Sequence, residues 1–383
     1  MPKKKPKVSK QKRLADAPKK KTTSDEIVEL EKEISKTKYN KKTQHHIGLI
    51  KAKIARLKEK RESRSKSGPK FEGYSVSKSG DATVILIGFP SVGKSTLLNV
   101  ITGAASEVAA YEFTTLSVVP GLLKHREAKI QILDVPGIVR GAASGKGRGK
   151  EVLSVMRNAD LVLVLVDSLH PEHYNVVKKE IYDTHLRLNQ HRPDVTIKKT
   201  SKGGVDLGLT CKQKWMTRQT MIGILKEFRM MNAQVVIREN ITPDRLIDSI
   251  ENNKIYIPGI TILTKVDLVD GETLEKLRVQ LKPDIEISAN KKINIENLKD
   301  LIVDKLNFIR VYTKEVGKKA DMTEPLILKK GVNIEGACRK LHKDFIVKFK
   351  FVKVWGKSAK FPGQKLGLKH RLKDKDVIEI HLK

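Results

Sequence analysis

The chain has 383 residues, enough for about two to four domains, and 39% of them are hydrophobic while 32% are charged. Lys and Arg number 77 against 44 Asp and Glu, which gives a formal charge of +33 and a pI near 9.9. This excess argues against an enzyme that serves small molecules alone. It predicts a polyanionic partner, for which the ribosome or rRNA fits best.

The cysteines and the apolar runs indicate the cellular compartment of the protein. Cys211 and Cys338 lie far apart with no CxxC pair, which argues against zinc and disulfides and predicts a reducing compartment. No apolar run approaches the ~18 residues of a membrane span, and no signal peptide is visible. The run Leu161–Val166 instead predicts a central parallel strand. We therefore expect no membrane partner and a cytoplasmic location.

The N-terminal region is basic. Residues 1–22 hold ten Lys or Arg and one acidic residue, which predicts a disordered tail. Its segment 2–8 suits a nuclear-import signal and an RNA-contacting arm equally. A capping box over Thr23–Glu26 then opens the first of two antiparallel helices, joined near Tyr39, that form a hairpin with a Lys/Arg-rich polar face.

Residues 88–95 read GFPSVGKS, a phosphate-loop motif between a predicted strand at 82–87 and a predicted helix from Thr96. Its glycines let backbone N–H groups face phosphate oxygens, Lys94 supplies charge to the β- and γ-phosphates, and Ser95 offers a hydroxyl to Mg²⁺. The predicted nucleotide-binding residues here are Gly88, Phe89, Pro90, Ser91, Val92, Gly93, Lys94, Ser95 and Thr96.

Two further segments extend the phosphate site. The loop Tyr111–Leu116 contains Thr114 and Thr115, and we favour Thr115 as a second Mg²⁺ ligand. A strand over 129–133 ends on Asp134, which can hold Mg²⁺ through water. The predicted nucleotide contacts continue through Val135, Pro136 and Gly137, and the predicted catalytic residues are Lys94, Thr115 and Gly137.

Base recognition is predicted from two later strand ends. Thr264, Lys265 and Asp267 follow one strand, and the Asp267 carboxylate can accept from N1–H and N2–H₂ of guanine. Ser288 and Ala289 follow the next, where a backbone N–H can meet guanine O6. The usual first residue of the base motif is Asn. Because a Thr hydroxyl reaches less far, we expect Thr264 to weaken nucleotide affinity while Asp267 keeps the guanine preference.

With these motifs the chain resembles the DRG family (developmentally regulated GTP-binding proteins) among the Obg-like GTPases. The resemblance covers nearly the whole length and lies in GFPSVGKSTLLN, AAYEFTTL, DVPGIVRGAASGKGRG, the helical segment from Asn40 and a C-terminal region like a TGS domain. It implies that hydrophobic Ile138 replaces the water-orienting Gln, so intrinsic hydrolysis is slow. It also implies a small partner of the DRG-family-regulatory type. Because Ser91 stands where related GTPases hold potassium with Asn, potassium as a cofactor beside Mg²⁺ stays open.

The GTPase domain is interrupted by a segment longer than an ordinary crossover. The resemblance implies that this segment is a small α/β insert like a ribosomal-protein domain, and we interpret Trp215 as part of its core rather than as a base-stacking platform. After Tyr312, short strands including Phe345–Trp355 and a helix over 333–341 predict a β-grasp module. Residues 323–383 of this module carry sixteen basic and six acidic residues, which suits a phosphate backbone.

We therefore predict an α/β fold: a phosphate-loop GTPase domain with a mainly parallel sheet, an N-terminal hairpin, an α/β insert and a C-terminal TGS domain. The expected ranges are 1–22 for the tail, 23–70 for the hairpin, 78–169 and 244–310 for the GTPase domain, 170–243 for the insert and 311–383 for the TGS domain. The expected function is slow hydrolysis of GTP to GDP on ribosomes. Two alternatives stay open, an Obg-like ATPase and an RNA-binding module with a structural nucleotide site.

Overall fold

A computed structural model of the chain describes residues 22–38, 40, 42–65, 80–103, 119–135, 156, 158–342 and 344–383. The chain divides into two compact units. The smaller takes Met1–Phe71 with Arg192–Asn253, and the larger takes Glu72–His191 with Lys254–Lys383. Nearly all of the predicted basic tail lies outside the described residues. No helix in the described part is long and apolar enough to cross a bilayer.

The helices follow one another in chain order. In the described residues they are α1 (Thr23–Lys36), α2 (Gln44–Ser65), α3 (Lys94–Thr102), α4 (His173–Asp183), α5 (Arg218–Glu227), α6 (Pro243–Glu251), α7 (Gly271–Leu281), α8 (Ile295–Leu306), α9 (Ile334–Leu341) and α10 (Asp344–Val347).

The strands form four sheets. They are β1 (Ala82–Ile87), β2 (Val119–His125), β3 (Ala128–Asp134), β4 (Leu161–Asp167), β5 (Leu186–Leu188), β6 (Val195–Lys199), β7 (Val205–Leu209), β8 (Ala233–Ile237), β9 (Ile255–Ile257), β10 (Gly259–Thr264), β11 (Ile285–Glu286), β12 (Phe308–Thr313), β13 (Leu326–Lys329), β14 (Phe349–Trp355), β15 (Gln364–Leu366) and β16 (Asp376–Leu382).

The larger unit is built on a six-stranded sheet in the order β11-β10-β4-β1-β3-β2, parallel except for β2. Strands β1 and β4 are buried along their whole length, as expected for a parallel sheet covered on both faces. The register pairs Leu86 with Asp134 and Thr264 with Asp167, so the carboxyl ends of four strands meet at one edge. The predicted mainly parallel GTPase sheet is confirmed.

The C-terminal module of the larger unit is a five-stranded sheet in the order β13-β12-β16-β14-β15, with α9 packed against it through Ile334, Ala337 and Cys338. This β-grasp arrangement agrees with the predicted TGS fold. One detail was wrong, because Phe345–Val347 lies in the short helix α10 rather than in a strand. The Ile327 side chain joins the core of the GTPase sheet, and Lys340 pairs with Asp81 at 2.6 Å, so the module contacts the GTPase domain directly.

The smaller unit joins the hairpin to the inserted segment. Its three-stranded sheet has the order β6-β8-β7, and α5 and α6 contribute to the core beneath it. Helix α2 packs on α5 closely, since a Cβ added to Gly223 would lie 2.8 Å from Leu49. Lys51 pairs with Asp244 at 2.6 Å and Arg56 with Glu227 at 3.1 Å. The hairpin is therefore bound to the insert rather than standing alone.

Three expectations for this part of the chain differ from the structure. The capping box starts one residue earlier, because Thr22 is the N-cap and Asp25 closes the box. The compact insert spans 192–253 rather than 170–243, because α4 and β5 pack with the larger unit, where β5 pairs with β9. Trp215 is not in the core, because it is 46% exposed while its neighbour Met216 is buried.

Candidate nucleotide site

The phosphate loop lies between β1 and α3 in a shape that requires its glycines. Gly93 has φ +97° at the N-cap of α3, a conformation that side chains disfavour, and no atom lies within 4 Å of a Cβ built there. A Cβ on Gly88 would come within 2.8 Å of the Leu165 carbonyl oxygen. Helix α3 begins directly after this loop and has no side-chain cap, and a helix N-terminus of this kind is the usual arrangement for binding an anion.

Lys94 is half-buried at the first position of α3. Its Nζ donates to the carbonyl oxygens of Gly88 and Phe89, both at 2.9 Å. Burial lowers the pKa of Lys94, and the nearby Asp134 carboxylate opposes part of that shift. Both of these hydrogen bonds go to carbonyl oxygens, and a phosphate would offer the ammonium group a full negative charge instead.

Ser95 and Asp134 bring oxygen ligands together at the end of β3. The Ser95 hydroxyl donates to Asp134 Oδ2 at 3.0 Å. The second carboxylate oxygen, Oδ1, is buried and has no hydrogen-bond partner among the described residues. A buried carboxylate oxygen without a partner is costly unless a cation or a donor satisfies it. Hydroxyl and carboxylate oxygens are the ligands that Mg²⁺ takes beside phosphates, so these residues fit that ion.

Thr264 ties the base-recognition loop to the phosphate loop. Its buried hydroxyl lies 3.0 Å from the Val92 carbonyl oxygen and 3.1 Å from that of Val166. We expected a hydroxyl to reach less far than the usual Asn amide. The shorter side chain still makes the contact, because the Val92 carbonyl itself comes within its reach, and the weaker nucleotide affinity stays a prediction.

Lys265 is fixed by a residue that the sequence analysis missed. Its Nζ pairs with Asp167 Oδ2 at 2.6 Å, and its backbone is left-handed with φ +58°. The Ser168 hydroxyl donates to the Lys265 carbonyl oxygen at 3.0 Å. Asp167 ends β4 beside Thr264, so the strand-end rule that identified Asp134 could also have identified Asp167. The ion pair fixes the end of the Lys265 side chain, whose apolar stem could then lie against a base.

The carboxylate of Asp267 is charged and fixed. A hydrogen bond from Ser288 lowers the pKa of Asp267, and Lys291 adds a smaller effect in the same direction. The Ser288 N–H donates to the Ile293 carbonyl at 3.3 Å, whereas the Ala289 N–H donates to no acceptor among the described residues. Of the two predicted amides, Ala289 therefore has the N–H that suits guanine O6.

Some predicted residues lie outside the described part of the chain. They are Thr114 and Thr115 of the first switch loop, and Pro136, Gly137 and Ile138 after β3. The structure brings together the other predicted residues at one sheet edge, from Gly88 to Thr96, with Asp134 and Val135, and from Thr264 to Ala289. It adds an aromatic contact, because the Phe89 ring stacks on His173 of α4 with centroids 3.9 Å apart.

Family models match three consecutive stretches of the chain. A model described as a 50S ribosome-binding GTPase matches residues 83–199, and its C-terminal region matches residues 202–308. A TGS-domain model matches residues 309–382. Among solved structures, a YchF GTPase of Schizosaccharomyces pombe covers 79% of this chain and 98% of its own at 14% identity, with a TM-score of 0.45.

Curated relatives match over almost the whole length. The chain is 50% identical to an uncharacterized GTP-binding protein of Methanocaldococcus jannaschii, covering 94% of this chain and 93% of the relative. It is 40% identical to human developmentally-regulated GTP-binding protein 2, covering 93% and 98%. A third relative is the Xenopus laevis developmentally-regulated GTP-binding protein 1, at 42% identity over 92% and 97%. The chain therefore belongs to the developmentally regulated GTP-binding proteins, a family of phosphate-loop GTPases with a C-terminal TGS domain.

Proposed function

We propose that this protein hydrolyses GTP to GDP and phosphate slowly on its own, and that it does so in contact with ribosomes or rRNA in the cytoplasm. The observation that carries the catalytic part is the juxtaposition of Lys94, Ser95 and Asp134 at the mouth of the phosphate loop. Ser95 and Asp134 are hydrogen-bonded to each other and Lys94 lies close by, and phosphoryl-transfer sites stabilise developing charge with groups placed in this way.

In this proposal, each residue at the phosphate end of the site has a separate role. Lys94 exchanges its two carbonyl contacts for β- and γ-phosphate oxygens and remains protonated against them. Ser95 and Asp134 would hold Mg²⁺, with Thr115 as a further ligand, and the ion when bound neutralises phosphate charge. Gly137 would meet the γ-phosphate through its N–H.

A slow intrinsic rate is proposed from one residue. Ile138 stands where many GTPases place Gln, and a hydrocarbon side chain cannot align the attacking water through a hydrogen bond. The rate of the isolated protein should then be no faster than about 10⁻³ to 10⁻² s⁻¹. Faster turnover would require a partner, for which the ribosome and a small regulatory protein are the proposed candidates, or a monovalent cation such as potassium.

Guanine selectivity is proposed from Asp267. Its carboxylate accepts from N1–H and N2–H₂ of guanine, groups that adenine does not present in that pattern. Since Ser288 and Lys291 stabilise the charged form, the acceptor is ready at neutral pH. This arrangement disfavours the ATPase alternative.

The proposed RNA or ribosome partner is supported by the charge of the TGS domain. Exposed lysines there have no carboxylate partner among the described residues, namely Lys348, Lys350, Lys357, Lys360 and Lys369. The acidic groups nearby are already committed, because Asp374 pairs with Arg310, and Glu379 pairs with Lys314 and Lys353. Uncompensated lysines on a small module suit a phosphate backbone, and such binding weakens steeply with salt.

A single-turnover hydrolysis assay with γ-labelled GTP tests the proposal. The full chain is compared with Lys94→Met, which keeps most of the length of the side chain and removes its charge. We expect slow Mg²⁺-dependent hydrolysis by the wild type, faster hydrolysis with ribosomes at low salt, and loss of at least about 10²-fold in the variant. Rapid hydrolysis by the isolated chain would refute the slow intrinsic rate. No hydrolysis with ribosomes, Mg²⁺ and the regulatory protein present would refute the catalytic proposal.

A further inference from the structure

The loop between β7 and α5 presents a tryptophan to solvent on a rigid, basic support. Residues 210–218 read TCKQKWMTR, with three basic residues and no acidic one. Trp215 is 46% exposed, and Lys212, Lys214 and Arg218 are exposed as well. A tryptophan ring that is exposed among cations offers a flat apolar face on which a base can stack.

The chain is fixed on the N-terminal side of this tryptophan. The Gln213 amide donates to the Glu239 carbonyl at 2.9 Å and accepts from the Ile241 N–H at 3.1 Å. The Lys214 N–H donates to Asn240 Oδ1 at 2.9 Å. These three bonds attach the loop to the segment that follows β8.

The chain is fixed equally on the C-terminal side. Met216 is buried in the core of the smaller unit, and Thr217 caps α5 by accepting from the Thr220 N–H. The Trp215 carbonyl accepts from the side-chain amide of Gln44 at the start of α2. The backbone on both sides of the exposed ring is thus held before any partner binds, so ordering it costs little on binding.

The surrounding charge favours a polyanion. Lys212, Lys214 and Arg218 form no ion pair with any described residue, so their charges remain available. The chain as a whole carries +33, which favours nucleic acid over an ordinary protein partner. Aromatic rings flanked by cations bind single-stranded nucleic acid, because the ring stacks on an unpaired base while the cations contact phosphates.

We propose that Trp215 is a stacking platform for an unpaired RNA base and that Lys212, Lys214 and Arg218 hold the adjacent phosphates. The surface formed by these four residues is called the Trp215 platform below. It rests on the proposed RNA-binding function and assigns part of that function to the inserted segment. Duplex RNA is a poor ligand for it, since paired bases are already stacked on their neighbours.

Tryptophan fluorescence tests the platform in the full chain. The protein has two tryptophans, so Trp355→Phe leaves Trp215 as the single emitter. An oligouridylate of about a dozen nucleotides lies within the site sizes of single-strand-binding modules. We expect it to quench Trp215 emission on binding, and a duplex of the same length to leave the emission unchanged. The reciprocal variant Trp215→Phe, which retains Trp355, serves as the control, because any quenching that it shows comes from Trp355 of the TGS domain and not from Trp215.

Affinity is measured in parallel by the anisotropy of the same labelled oligouridylate. Trp215→Leu should weaken binding roughly 5- to 100-fold, and Trp215→Phe should retain most of it because a ring can still stack. Replacing Lys212 and Lys214 by Gln should reduce the slope of log affinity against log salt by about one for each phosphate that is no longer neutralised. Thermal unfolding of each variant shows whether the loop still folds.

Each outcome has a distinct meaning. If the chain binds RNA while Trp215 emission and the Leu variant are unaffected, the platform is refuted and the proposed RNA binding stands. Equal quenching by the duplex would also refute stacking on an unpaired base. If the chain binds no RNA even at low salt, the platform and the RNA part of the proposed function both fail, and a protein partner becomes the explanation for the exposed ring.

Discussion

The two ends of the nucleotide site differ in how completely their polar groups are satisfied. At the base end, Thr264, Lys265 and Asp267 are each held by a specific neighbour. At the phosphate end, Lys94 is partly desolvated against carbonyl dipoles, and one oxygen of Asp134 is buried without a hydrogen-bond partner among the described residues.

This difference separates selection from catalysis. A base end that is already assembled can discriminate between bases at little ordering cost, because its acceptor does not need to be moved into place. At the phosphate end, Lys94 and Asp134 gain their missing interactions from the bound ligand, so binding of the triphosphate stabilises this end. We therefore expect variants at the base end to change which nucleotide binds and variants at the phosphate end to change whether it reacts.

The largest expected effect comes from inverting the base preference. Asp267→Asn exchanges one carboxylate acceptor for an amide donor, which should lower GTP affinity by roughly 10²-fold. Xanthosine triphosphate carries a carbonyl where guanine carries its N2 amino group, so the Asn amide can donate to it, and its affinity should rise. Competition against a fluorescent GTP analogue measures both effects.

Binding of xanthosine triphosphate is the folding control, because a misfolded variant would bind neither nucleotide. If Asp267→Asn still binds GTP as tightly as the wild type does, guanine is recognised elsewhere. If ATP competes as well as GTP against the wild-type chain, the ATPase alternative is favoured instead.

A smaller effect is expected from removing the Thr264 hydroxyl, which links the base-recognition loop to the phosphate loop. Thr264→Val keeps the shape of the side chain but leaves the Val92 and Val166 carbonyls without this donor, at a cost of about 1–2 kcal/mol. Because the phosphate loop loses one of its anchors, GDP dissociation should quicken roughly five- to tenfold. Stopped-flow release of a fluorescent GDP analogue measures it.

Thr264→Ser is the matched control, since it retains the hydroxyl and loses only a methyl group. The Ser variant should release GDP close to the wild-type rate. Equal release by the Val variant and the wild type would show that the tie does not stabilise the bound state.

Thr264 also shows where inference from sequence stops. The order of the motifs predicted the sheet edge at which Lys94, Asp134 and Asp267 meet, because parallel strands place their carboxyl ends together. It did not predict that the hydroxyl of Thr264 reaches the phosphate loop, because that depends on where the Val92 carbonyl lies. The position of a backbone carbonyl to within roughly 1 Å is set by tertiary packing, and the residue types alone do not specify that packing.

Trp215 and the insert bounds illustrate the same limit. Trp215 and Met216 are adjacent and both apolar, and on an irregular loop no periodicity determines which of them faces the core. Met216 takes the buried position, and Trp215 is 46% exposed. Likewise, β5 pairs with β9 across the inserted residues, a long-range contact that local patterns do not reveal, so the insert begins later than predicted.

The smallest expected effect is a difference in alkaline titration at the phosphate end. Burial lowers the pKa of Lys94 in the free protein, so its charge is lost at a lower pH than that of an ordinary lysine. GTP binding needs the protonated form, and affinity should therefore begin to fall as pH rises toward that lowered pKa, by at most about tenfold per pH unit beyond it.

The N1–H of guanine also titrates in alkali, which would weaken binding independently. Lys94→Arg separates the two, because its guanidinium stays charged throughout. Between pH 8 and about 9.5 we expect the wild-type affinity to fall more than that of the Arg variant. Parallel curves would show that Lys94 keeps its proton throughout this range. The asymmetry would then be confined to the base end, where hydrogen bonding lowers the pKa of Asp267 and should leave guanine selectivity unchanged from neutral pH down to about 4.5.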